Sequence, residues 1–115
     1  MAFDEYLADR INKTLKDKNI VFEEKKMMGG LCFLVDDKMC VGIIKDQLMC
    51  RINPEIYQKS LDKSGVKEMT FTGRPMKGYV LVEPVAVDDD KDLAYWIQLC
   101  LDFNPLAKSS KKKKN

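Results

Sequence analysis

The spacing of apolar residues changes along the chain, and each change marks an element. Phe3, Leu7, Ile11 and Leu15 recur every four positions with Tyr6 beside them and charges between, which predicts an amphipathic helix over residues 3 to 17. Asp17-Lys18-Asn19 ends it, and Ile20-Val21-Phe22 follows as a short strand candidate before the polar run Glu23 to Lys26. The centre then reads as β. Leu31 to Val35, Met39 to Ile44 and Leu48 to Ile52 are apolar runs separated by Asp36-Asp37-Lys38 and Lys45-Asp46-Gln47, so a three-stranded meander is predicted. Because the first two runs are almost continuously apolar, both faces of these strands should be partly covered, by the chain itself or by a partner.

Asn53-Pro54-Glu55 is a helix start, with Asn as N-cap, Pro at the first position and an acid in the first turn. That helix carries Ile56, Tyr57 and Leu61 and should stop at Ser64-Gly65. Met69 to Thr72 alternates like a strand, Gly73 to Gly78 interrupts it, and Tyr79 to Val82 resumes before Pro84. Asp88-Asp89-Asp90 precedes a last helix, whose N-terminal end these carboxylates favour, and Leu93, Trp96, Ile97, Cys100 and Leu101 form its apolar stripe up to Asn104-Pro105. Helix, three strands, helix, two strands, helix is an α+β arrangement: two layers, an antiparallel sheet with flanking helices.

Composition adds less than the pattern. At 115 residues, 45% hydrophobic and 33% charged, the chain is expected to hold one core, over residues 1–107. Residues 108–115, low in complexity and rich in lysine, are expected to form a disordered tail. The formal charge of +2 comes from that tail. With its five lysines set aside, 15 basic residues face 18 acidic ones, which argues against a folded nucleic-acid-binding face. No apolar run approaches the roughly 20 residues a membrane helix needs, and the acidic opening Met1-Ala2-Phe3-Asp4-Glu5 does not read as a secretory signal, so the cytoplasm is expected.

Candidate chemistry is sparse. Cys32, Cys40, Cys50 and Cys100 have no CxxC spacing and the chain has no histidine, so neither a metal nor another cofactor is expected. Apolar neighbours surround most of these thiols, which reads as burial in reduced form rather than redox or metal chemistry. Without histidine, the usual nucleophile–base pairs are excluded, and no enzyme is expected.

Two segments are more specific. Met27-Met28-Gly29-Gly30-Leu31-Cys32-Phe33-Leu34-Val35-Asp36-Asp37-Lys38-Met39-Cys40 and Gly73-Arg74-Pro75-Met76-Lys77-Gly78-Tyr79-Val80-Leu81-Val82-Glu83-Pro84 resemble the TfoX N-terminal domain family. Members tend to carry Met-Phe-Gly-Gly before a strand, an Asp-Gly-Lys-Met turn, and a later Gly-Arg-Pro-Met-Lys-Gly-Trp-Val segment. Here Met28, Asp37 and Cys40 depart from the usual Phe, Gly and Phe. The resemblance spans roughly residues 3 to 103 and implies a two-layer fold similar to secretion-chaperone-like domains. It also implies kinship with TfoX/Sxy competence regulators, here as a stand-alone N-terminal domain, and it carries over no catalytic residue.

A non-catalytic regulatory or protein-interaction module is therefore expected, its partner a protein or a second copy of the chain. Arg74 and Lys77, two cations in a glycine-bounded loop, are the candidate contact; as a plain connector, the same loop would use its glycines for unusual backbone angles. The alternative is an accessory nucleic-acid binder using this loop together with Lys108, Lys111, Lys112, Lys113 and Lys114, with weak, sequence-indifferent contacts. Gly29-Gly30 precedes no phosphate-binding pattern and reads as a bend entering the strand.

Overall fold

The computed structural model describes residues 3–27, 29–71 and 73–107. Helix α1 runs Glu5–Asp17, with the Asp4 carboxylate accepting from the Tyr6 and Leu7 N–H groups at 2.9 and 3.2 Å. This satisfies two of the donors that a helix start leaves open. Leu7, Ile11 and Leu15 are buried, as their spacing predicts, while Phe3 lies ahead of the helix and bridges to Lys45.

Four strands follow: β1 Glu23–Met27, β2 Gly30–Val35, β3 Lys38–Ile44 and β4 Gln47–Arg51. A 3-10 turn, Pro54–Ile56, leads into the short helix α2, Tyr57–Leu61, then come β5 Val66–Phe71, β6 Arg74–Val82 and helix α3 Asp90–Phe103. All six strands form one antiparallel sheet in the order β1-β2-β3-β4-β6-β5. The α+β arrangement is the one the pattern implies.

The sequence reading is corrected at two places. The meander has four strands, because the polar run from Glu23 pairs with β2 while Ile20-Val21-Phe22 does not pair. Residues Glu23 to Lys26 are all exposed, so an edge strand held mainly by backbone bonds, with one side-chain bond from Asn12 to Glu24 at 2.6 Å, left no apolar period to read. Phe22 instead packs on Phe33, ring centroids 5.7 Å apart, and Val21 points into solvent. The second correction concerns Gly73 to Gly78. Arg74 to Gly78 is not a loop but the first half of β6: Phe71 pairs with Arg74 and Thr70 with Pro75.

The β2–β3 turn lies where the sequence places it. Asp36 and Asp37 have φ of 57° and 62° and Val35 pairs with Lys38, the arrangement of a two-residue type I′ hairpin. The pairing then shifts by one, Leu34 opposite Met39 but Phe33 opposite Val41, leaving Cys40 as an extra residue that turns toward the helices beside Val41. Asn104, buried after α3, donates to the Val35 carbonyl (3.2 Å) and accepts from Lys38 Nζ through its own carbonyl (3.0 Å), so the last helix is tied to the first hairpin.

The helix-side core is built from Leu7, Ile11, Leu15, Leu93, Trp96 and Ile97 above Leu31, Phe33, Val41, Ile43, Leu48, Val80 and Val82. Gly30 permits the close approach of β2 and β3, since a β-carbon there would fall on the Ile43 carbonyl oxygen. Gly30→Ala should therefore cost about 2 kcal/mol or more in urea denaturation, because backbone rather than a side chain must move. Asp37→Gly should be neutral or stabilising, as glycine adopts positive φ at less cost. A loss above about 1 kcal/mol for Asp37→Gly, or a neutral Gly30→Ala, would contradict these assignments.

Candidate interaction surface

Alternation along the strands sends half of their side chains away from the helices. There Cys32, Leu34, Met49 and Met69 are buried, with Met39, Ile44, Met76, Tyr79 and Leu81 partly buried against them, and no helix residue belongs to this cluster. Gly42 provides the space: a β-carbon there would stand 2.7 Å from Met49 Cε and 2.8 Å from the Leu31 carbonyl oxygen, so Met49 lies across a bare stretch of backbone. Four methionines sit in this cluster and none in the helix-side core. None of the three helices contains one. Every methionine among the described residues lies in a strand, a sorting present in the sequence that the apolar character of the runs alone does not display.

Strand pairing also assigns the charges. Lys25 stands opposite Cys32, Arg51 opposite Tyr79 and Lys67 opposite Leu81, placing these cations on the methionine side. Glu23, opposite Leu34, joins them, and Glu83 holds Lys67 at 3.7 Å. The partly buried Arg51 guanidinium lies over the Tyr79 ring and also over the Phe103 ring of α3, 5.5 and 6.0 Å from their centroids. It donates to the Met39 carbonyl at 3.5 Å. Arg74 is exposed two residues along β6 from Met76 and makes no ion pair or ring contact among the described residues.

Lys77, also exposed, sits in a stretch of β6 whose register with β5 jumps between Glu68 and Thr70. Gly78 there has φ +92° and accepts from the Ile52 N–H at 2.8 Å. The glycine thus supplies the unusual backbone angle expected of it, inside a bulged strand rather than a loop. Of the two cations singled out from the sequence, only Arg74 is placed beside the methionine cluster. The tail lysines 108 and 111–114 lie outside the described residues.

Elsewhere the chemistry is quiet. Asp89 caps α3 by accepting from the Lys91 N–H (2.8 Å), and Asp90 pairs with Arg10 (3.0 Å). No three His, Cys, Asp or Glu side chains gather into a metal site among the described residues. All four cysteines are free and buried. Burial raises the Cys32 thiol to about 11 and pushes those of Cys40 and Cys100 well above the ordinary range, Cys100 further through its hydrogen bond with Cys50.

The TfoX N-terminal domain model matches residues 21–104, well over half of the chain. The chain belongs to this family. No curated protein and no solved structure matches it. The matched stretch of this TfoX N-terminal domain contains most of the sheet-forming chain, including every strand and the whole methionine cluster. Helix α1 precedes it, yet contributes Leu7, Ile11 and Leu15 to the core.

Three of the thiols give a prediction with a definite sign. The folded-state pKa values of Cys32, Cys40 and Cys100 lie above the ordinary 9, so the folded domain keeps protons that the unfolded chain releases. Stability from this source is complete below pH 9 and declines as pH rises from 9 toward the folded values, about 11 for Cys32. Urea midpoints should be flat near neutral pH and fall above pH 9, and at pH 8 only about a thousandth of Cys32 is thiolate. Native alkylation followed by mass spectrometry should label few cysteines, and labelling after denaturation all four. Rapid native labelling at Cys32 would contradict its burial.

Proposed function

We propose that this TfoX N-terminal domain is a non-catalytic, cytoplasmic protein-binding module, regulatory in role, and that the methionine side of its sheet meets the partner. The observation that carries this reading is the sorting of methionine. A core built for shape takes branched side chains, as the helix side does. A surface that must fit a partner gains from unbranched, polarizable ones that repack. Partial exposure of Met39, Met76 and Leu81 leaves them available to another surface. High thiol pKa values and the lack of histidine favour binding over nucleophilic or acid–base chemistry. Buried, reduced cysteines accord with a reducing compartment.

The accessory nucleic-acid reading draws on a different observation: Arg74 and Lys77 are both exposed on the β5–β6 hairpin. One experiment separates the two. A photo-crosslinking residue at Met76 should give discrete protein adducts in living cells, unaffected by nuclease, while the same residue at exposed Val21 should not. Adducts that vanish with nuclease would favour the nucleic-acid reading. Equal adducts from both positions would remove the assignment of this face.

A further inference from the structure

We infer that the occupant of the methionine face is an acidic amphipathic peptide segment, with a stripe of apolar side chains flanked by carboxylates. The inference rests on the binding reading above and adds the chemistry of the partner. Its basis is a charge asymmetry that total composition hides. On this side Lys67 and Glu83 pair with each other at 3.7 Å, which leaves Lys25, Arg74 and the partly buried Arg51 against Glu23. The tail lysines apart, the whole chain has more acids than bases, 18 against 15. A cationic rim around a methionine cluster therefore interrupts a molecule that is otherwise negative.

That asymmetry sorts the occupants. A second copy docked face to face would bring two copies of the same cationic rim together, because a two-fold interface presents the same patch twice. The chain's own lysine tail would meet like charge. For a bilayer, the apolar side chains that protrude are Tyr6, Val21, Val85, Tyr95 and Leu106, none of which belongs to this cluster. A single nucleic-acid strand needs open rings for its bases, and the one ring described in the cluster, Tyr79, already carries the Arg51 guanidinium. An acidic amphipathic segment satisfies both features at once: its apolar stripe packs on the methionines, and its flanks meet the lysine and arginine rim.

The test uses the full chain with isotope-labelled methionine methyls and two synthetic helical peptides sharing one leucine stripe, flanked by glutamate in one and lysine in the other. The glutamate peptide should bind about tenfold or more tightly at low salt and shift the Met39 and Met76 methyl signals, with the margin shrinking as salt rises. Lys25→Glu combined with Arg74→Glu should reverse the order of affinities with the circular dichroism spectrum unchanged. Equal affinities, with the methyls still shifting, would overturn the acidic partner and leave the face intact. Should neither peptide move the methyls, both readings fall. Stronger shifts from oligothymidylate, from anionic phosphatidylserine vesicles, or from raising the protein concentration alone would overturn the inference in favour of that occupant.

Discussion

Three consecutive strands, β2, β3 and β4, are apolar on both sides, and the helices lie on one side of them. Leu31, Phe33, Val41, Ile43 and Leu48 turn toward α1 and α3, while Cys32, Leu34 and Met49 turn the other way. An antiparallel sheet with helices on one face ordinarily shows polar residues on the other. Here that face is closed by its own side chains. Met49 lies across Gly42, and Met69 is buried beside it, so apolar groups worth roughly 1.5–3 kcal/mol each when fully covered leave water without a second helical layer.

The two sides are built differently because they are covered differently. On the helix side the elements are pinned. Arg10 of α1 donates to the Val87 and Asp88 carbonyls ahead of α3 at 2.8 and 3.2 Å, and Asn104 ties the far end of α3 to the β2–β3 hairpin. Branched side chains suit fixed distances of this kind, since a packed core rewards shape. On the other side the ties are longer, Arg51 to the Met39 carbonyl at 3.5 Å and Lys67 to Glu83 at 3.7 Å, and methionine tolerates irregular gaps. The cations on that side lie in β1, β4, β5 and β6, strands that reach both edges of the sheet, so they surround the cluster rather than divide it.

Elements with an inner side were legible in the sequence. The period of α1, the stripe of α3 and the Asp36-Asp37 turn all lie where spacing and turn chemistry put them. Strand β1 was not legible, because its exposed Glu and Lys residues carry no trace of the backbone bonds that hold it. The start of β6 was misread since Gly73, Pro75 and Gly78 are loop signals locally, and only the pairing with Phe71 and Thr70 makes the stretch a strand. For the candidate surface, the sequence offers Arg74 with Lys77 as two cations in a glycine-bounded stretch. The neighbourhood of Arg74 emerged only when register brought Lys25, Arg51 and Lys67 to the same side, pairings that span from residue 25 to residue 81.

If the helix side carries the stability and the methionine side the contact, substitutions on the two sides should differ in cost. Urea unfolding of the double variant Met39→Gln, Met76→Gln against Leu15→Ala is the most direct comparison. The two methionines are only partly buried, whereas Leu15 is fully so. The account predicts a loss below about 1 kcal/mol for the double variant, in the range of surface changes, and roughly 2–5 kcal/mol for Leu15→Ala. Equal losses would mean that the methionine face is a second core rather than a surface kept for a partner.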